Sequence, residues 1–105
     1  MRFGLKAEEL DAVRGVLERY PLICRAEIFG SRARGGFSHR SDIDVAVYHD
    51  GMSSEEMNRL RMDLDDLPII YRIDVVDPSR TSRPELAASI ARDGVVVYER
   101  PSRRV

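Results

Sequence analysis

The sequence predicts an α+β domain, α/β-like in its alternation, built as a β-sheet flanked by helices. Three observations carry this expectation. Segments of helical period alternate with segments of strand period along most of the chain. The stretch from Ile43 to Tyr48 switches side with every residue, as a strand covered on one face does. The length of 105 residues suits one core and leaves little for a second. Element order alone leaves strand direction open. We expect one domain over residues 1–99 and a flexible basic tail over 100–105, where three arginines and a proline follow no core pattern.

The elements follow in order. Leu10, Val13, Leu17 and Tyr20 recur at three- and four-residue spacing and predict a helix between Leu5 and Tyr20, ended by Pro21. Ile23 to Phe29 is β-prone and stops at Gly30-Ser31, where a polar segment with Gly35 and Gly36 begins. In the strand from Ile43 to Tyr48, Ile43, Val45 and Val47 face one side. Asp42, Asp44, Ala46 and Tyr48 face the other. His49-Asp50-Gly51 is a turn, and Ser53 and Glu56 have capping-box spacing before a helix with Met57, Leu60, Leu64 and Leu67 on one stripe. Pro68 ends that helix. A third strand is expected from Ile69 to Val76, closed by Asp77-Pro78. Pro84 opens a last helix with Leu86, Ala87 and Ile90 on its apolar face, and Gly94 is expected to supply a left-handed C-terminal residue. Val95 to Tyr98 completes the sheet.

Composition narrows the functional classes. Hydrophobic content of 43% and charged content of 33% fit a folded domain. With 17 basic and 18 acidic side chains there is no general positive field, so nucleic acid is not the expected partner. Apolar runs fall far short of the roughly 20 residues that span a bilayer, and no signal-peptide pattern opens the chain, so a cytoplasmic location is expected. Cys24 is the single cysteine and reads as a small core residue.

The chemistry concentrates in three acids and a glycine turn. Asp42 and Asp44 sit at alternate strand positions and point into the same space. Unit charges about 4 Å apart repel by roughly 4 kcal/mol at an effective dielectric of 20, so such a pair calls for water, a proton or a cation. Mg²⁺ suits it, being held commonly by one or two carboxylates plus substrate phosphates. Asp74 lies opposite Ile73 and Val75 in its own alternation and joins the pair if the two strands are neighbours with matching faces. Gly30-Ser31 at a strand end lets the backbone approach an anion closely. Arg32 and Arg34 could add charge beside that phosphate seat.

Gly30-Ser31-Arg32-Ala33-Arg34-Gly35 through Ser41-Asp42-Ile43-Asp44 resembles the signature of the DNA polymerase β superfamily of nucleotidyltransferases. More narrowly it is similar to the minimal nucleotidyltransferase (MNT) family, the MntA-type antitoxins of HEPN/MNT toxin-antitoxin pairs. There a Gly-Ser pair, ten residues and Asp-x-Asp build the site, and a later Asp completes it; Arg32 to Ser41 supplies the ten without a gap. The resemblance implies a mixed-sheet core using ATP and Mg²⁺, the metal as two ions. Ser31 would bind terminal phosphates, with Gly30, Arg32, Arg34 and Ser41 around it. Asp42 and Asp44 would hold metal, and Asp74 the second metal or the attacking hydroxyl.

The chain ends soon after this core, so a partner is expected to present the acceptor. The resemblance makes that partner a helical HEPN-type toxin in a hetero-oligomer, silenced by transfer of AMP to a hydroxyl such as that of a tyrosine. Two other readings stand beside it: an antitoxin that masks its partner by binding alone, and nucleotidylation of an aminoglycoside-like small molecule. His39 and His49 read as solvated, Asp63, Asp65 and Asp66 as the wet side of a helix, and Asp77 as a turn residue.

Overall fold

The computed structural model describes residues 2–36 and 41–101. Its elements run α1 (Ala7–Glu18), β1 (Ile23–Phe29), α2 (Ser31–Arg34), β2 (Ile43–His49), α3 (Ser54–Asp65), β3 (Ile73–Val76), α4 (Pro84–Asp93) and β4 (Val95–Glu99). The four strands form one sheet in the order β3-β2-β1-β4. β1 pairs antiparallel with both β2 and β4, whereas β2 and β3 are parallel. The sheet is therefore mixed and the fold α+β. The crossover through α3 is what makes β2 and β3 parallel, since two strands running the same way need a connection of a dozen or more residues.

The apolar stripes explain which face each helix covers. α1 buries Leu10, Val13, Val16 and Leu17, and α3 buries Met57, Leu60 and Leu64. Both stripes meet Ile43, Val45 and Val47 of β2 in the main core, which also takes Ile73 and Val75 of β3. The α3 start is fixed as the sequence suggests: Glu56 N–H donates to Ser53 Oγ at 3.1 Å, and Ser53 N–H donates to Glu56 Oε1 at 3.1 Å. On the other face, α4 covers a smaller cluster of Phe29, Ala46 and Ile90.

Several sequence expectations need correction. β3 begins at Ile73, not Ile69, and Ile70 is 89% exposed; the segment after Pro68 is a bend, and only Ile73 and Val75 are buried from it. Ala87 is exposed, which narrows the α4 contact to Ile90 and the half-buried Leu86. Gly94 is extended, with φ −61° and ψ 129°, so no left-handed cap is needed there. Its role is close packing: a Cβ would lie 2.3 Å from Glu27 Oε1 and 2.7 Å from Ile90 O. His49 is not solvated. Its side chain is 4% exposed, Nε2 lies 2.9 Å from Asp77 Oδ2, and Nδ1 accepts from Met52 N–H at 2.9 Å. Asp77 does make the expected turn, accepting from Ser79 N–H at 3.0 Å, but it is buried while doing so. Arg100 is tied to the sheet: its N–H donates to Cys24 O at 2.8 Å and its guanidinium to Pro21 O and Asp50. Cys24 is half-buried, and burial pushes its thiol up. His39 and the tail residues 102–105 lie outside the described residues.

Candidate active site

Register assembles the acids. On the parallel β2–β3 pair Asp44 stands opposite Asp74, flanked by Ile43 opposite Ile73 and Val45 opposite Val75. Since Ile43, Val45, Ile73 and Val75 are all buried in the main core, alternation turns Asp44 and Asp74 together onto the other face. Asp42, two residues before Asp44, follows the same alternation at the entrance to β2 and is exposed, as is Asp74. Asp44 is half-buried between them. Its carboxyl is pushed above the usual carboxylate range by burial first, then by the charges of Asp74 and Asp42, with Arg32 pulling the other way.

The turn after β1 lies against this acid. Phe29 pairs with Asp44 across the antiparallel β1–β2 ladder, so Gly30 follows directly beside it. Gly30 has φ +76° and ψ −153°, a region open to glycine and costly to other residues. A Cβ at this position would lie 2.6 Å from Asp44 Oδ2. The glycine thus makes the conformation and leaves room for the carboxylate. It caps the single turn of α2, and the opening N–H groups of such a turn have no acceptor within it, the usual backbone setting for an anion. Ser31 is half-buried at the start of that turn.

The arginines divide. Arg34 is exposed at the end of α2 and pairs with Asp93 at 2.7 Å, an acid that also holds Arg92. Arg32, which the sequence places beside the phosphate seat, is 2% exposed. Nε and Nη2 donate to Ser41 O at 3.0 and 2.8 Å, Nη1 donates to Phe3 O at 2.8 Å, and the guanidinium lies 4.2 Å from the centre of the Tyr71 ring. The guanidinium is thus buried against two backbone carbonyls and an aromatic ring. Ser41 is half-buried, with its carbonyl facing Arg32. Sequence reasoning missed Phe3 and Tyr71 here; contacts across such separations leave no periodic or motif signal.

Among the described residues no three His, Cys, Asp or Glu side chains converge into a ready-made metal-ligand set. The acids nevertheless fit a hard cation. All offer oxygen, one is held half-buried against Gly30, and their mutual repulsion is the kind a divalent ion relieves. Mg²⁺ sites completed by substrate phosphates need only one or two protein carboxylates, so a closed cage is not required.

A mixed sheet with acids on neighbouring strands beside a Gly-Ser turn defines a nucleotidyltransferase fold. The family described as "Polymerase beta, Nucleotidyltransferase" matches residues 12–103, and the chain belongs to it. No curated protein matches the chain. Among solved structures, one described as a minimal nucleotidyltransferase is similar at 27% identity and TM-score 0.69, over 90% of this chain and 95% of that one. A toxin-antitoxin structure with AMP-PNP is similar at 22% identity and TM-score 0.70, over 87% of this chain and 73% of that one. A toxin-antitoxin structure named MntA-HpeT, in a doubly substituted form, gives 21% and 0.69, over 91% and 75%. At these identities the two toxin-antitoxin likenesses speak for the fold. No helix among the described residues is long and apolar enough to cross a membrane.

Proposed function

We propose that this chain transfers AMP from ATP to a hydroxyl of a partner protein, a helical HEPN-type toxin, and so acts as its antitoxin. The observation that carries the reading is the pairing of Asp44 with Asp74 on the sheet face away from the main core, with Asp42 beside them and Gly30 packed on Asp44. The reaction is in-line displacement at phosphorus. The acceptor oxygen bonds to the α-phosphorus, the bond from that phosphorus to the bridging oxygen breaks, and pyrophosphate leaves. The acceptor's proton passes to a carboxylate, for which Asp74 is suited by its exposure at the end of the face.

Asp42, Asp44 and Asp74 would hold Mg²⁺, as two ions, which when bound supplies charge neutralisation at the phosphates. The chain itself contributes position. Ser31 and the backbone of the Gly30 turn would receive the terminal phosphates, and Arg34, released from Asp93, lies at the same turn's end. Structural likeness to toxin-antitoxin structures, one of them with AMP-PNP, supports a protein acceptor and an adenine nucleotide. The hetero-oligomer and a cytoplasmic setting belong to the same proposal.

The test is transfer in vitro. Purified chain, Mg²⁺ and ATP labelled at the α-phosphate are incubated with the purified protein encoded beside it. Label on that protein, lost with Asp44→Asn, is expected. A tight complex that neutralises the partner without labelling it, and survives Asp44→Asn, would replace transfer with masking.

A further inference from the structure

Arg32 occupies a junction. It follows Ser31 in the phosphate turn, binds the carbonyl of Ser41 immediately before Asp42, and stacks on Tyr71 in the loop that enters β3 three residues before Asp74. A further contact, to Phe3 O at 2.8 Å, ties the same point to the segment before α1. Strand pairing fixes Asp44 against Asp74, but Ser31 and Asp42 lie outside the ladders and Asp74 is the second residue of a strand of only four. A separate device is needed to hold those segments together.

We propose that Arg32 is the positioning residue of this site: its buried guanidinium holds the Ser31 turn, the lead into Asp42 and the loop before Asp74 in one arrangement. The proposal rests on reading this face as a nucleotide site. A guanidinium suits the task because its donors form a rigid planar fork and its face can stack on an aromatic ring at the same time. Lysine, a compact charge with rotatable donors, cannot reach Ser41 O and Phe3 O while lying flat on Tyr71. That difference separates positioning from direct phosphate contact, since a lysine in direct contact would still bind phosphate as a point charge.

The test compares Arg32→Lys, Tyr71→Ala and Tyr71→Phe with the wild type, at a temperature where each is folded. Two quantities are read: affinity for AMP-PNP with Mg²⁺, and amide hydrogen exchange without nucleotide in the segments that carry the site positions, 31–35, 41–44 and 71–75. Arg32→Lys and Tyr71→Ala are expected to weaken binding by about tenfold or more, because small misplacements of positioned groups are costly. Tyr71→Phe keeps the stacked ring and is expected to stay within about twofold. Exchange should accelerate in the three segments in the first two variants while α1 and α3 stay protected. Arg32→Lys binding like the wild type, or exchange that accelerates evenly through α1 and α3, overturns the proposal. Should the wild type bind no nucleotide, the functional reading fails, and the exchange pattern still decides whether Arg32 positions these segments. Should Arg32→Lys fail to fold, the Tyr71 pair decides it alone.

Discussion

Asp44 and Asp74 are direct partners across the parallel β2–β3 ladder, with both side chains on the face away from the main core. Burial, then Asp74 and Asp42, hold the Asp44 carboxyl above the usual range despite Arg32. A raised carboxyl binds its proton more tightly in the folded chain than in the unfolded one. The stability it contributes is full below its unfolded pKa and is lost as pH rises through the folded one. In metal-free buffer Asp44→Asn is therefore expected to melt above the wild type at neutral pH, with the gap closing below about pH 4. Thermal unfolding across pH checks this; an Asn variant less stable at neutral pH contradicts it.

Divalent cation should act through the same residue. The proposed function requires Mg²⁺ with AMP-PNP to bind the folded chain, and so to raise the melting temperature of the wild type, by about 2.7 kcal/mol of stability at a hundredfold excess over Kd. The rise should vanish in Asp44→Asn. Equal shifts in both proteins would place the ligand elsewhere.

Gly30 and Gly35 make a paired test of conformation against contact. Both have positive φ, +76° and +90°, but only Gly30 has a neighbour, Asp44, where a Cβ would stand. Alanine at either position is expected to cost about 1–3 kcal/mol through backbone strain. Gly30→Ala should also displace the carboxylate and remove nucleotide binding, whereas Gly35→Ala should leave binding intact. Urea unfolding and calorimetric titration read the two effects separately.

Tyr20 donates its hydroxyl to Asp63 and so ties the end of α1 to α3. Burial first and that bond second push the phenol up to about 12. The phenol's contribution is full below its ordinary value of 10.0 and is lost as pH rises through about 12. Tyr20→Phe should cost about 1 kcal/mol at neutral pH, a loss visible in the denaturation midpoint and shrinking at strongly alkaline pH.

How much was legible follows from the range of each signal. The Ser53–Glu56 box acts over three residues, and the structure has it as written. The facing of Asp42 and Asp44 follows from a period of two, and Asp74 needed only the strand neighbourhood that the family resemblance implied. The misses are contacts made across the fold. The motif places Arg32 beside the turn, but it gives no sign that Phe3, Ser41 and Tyr71 enclose it from three other segments. His49 sits in a polar stretch and is buried by Asp77, twenty-eight positions on. Gly94 looks like a cap because it follows a helix; the Glu27 side chain on β1 is what requires a glycine. Its alanine variant is expected to cost about 1–3 kcal/mol by overpacking, readable in the urea midpoint.

In the proposed function these carboxylates serve transfer of a nucleotidyl group to a partner protein. The most direct measurement is the intact mass of the protein encoded beside this chain, after co-expression with the wild type and with the Asp42→Asn, Asp44→Asn double variant. The account predicts one or more adenylyl increments on that protein with the wild type and none with the variant. An unmodified partner that co-purifies equally with both would contradict it and leave binding as the mode of action.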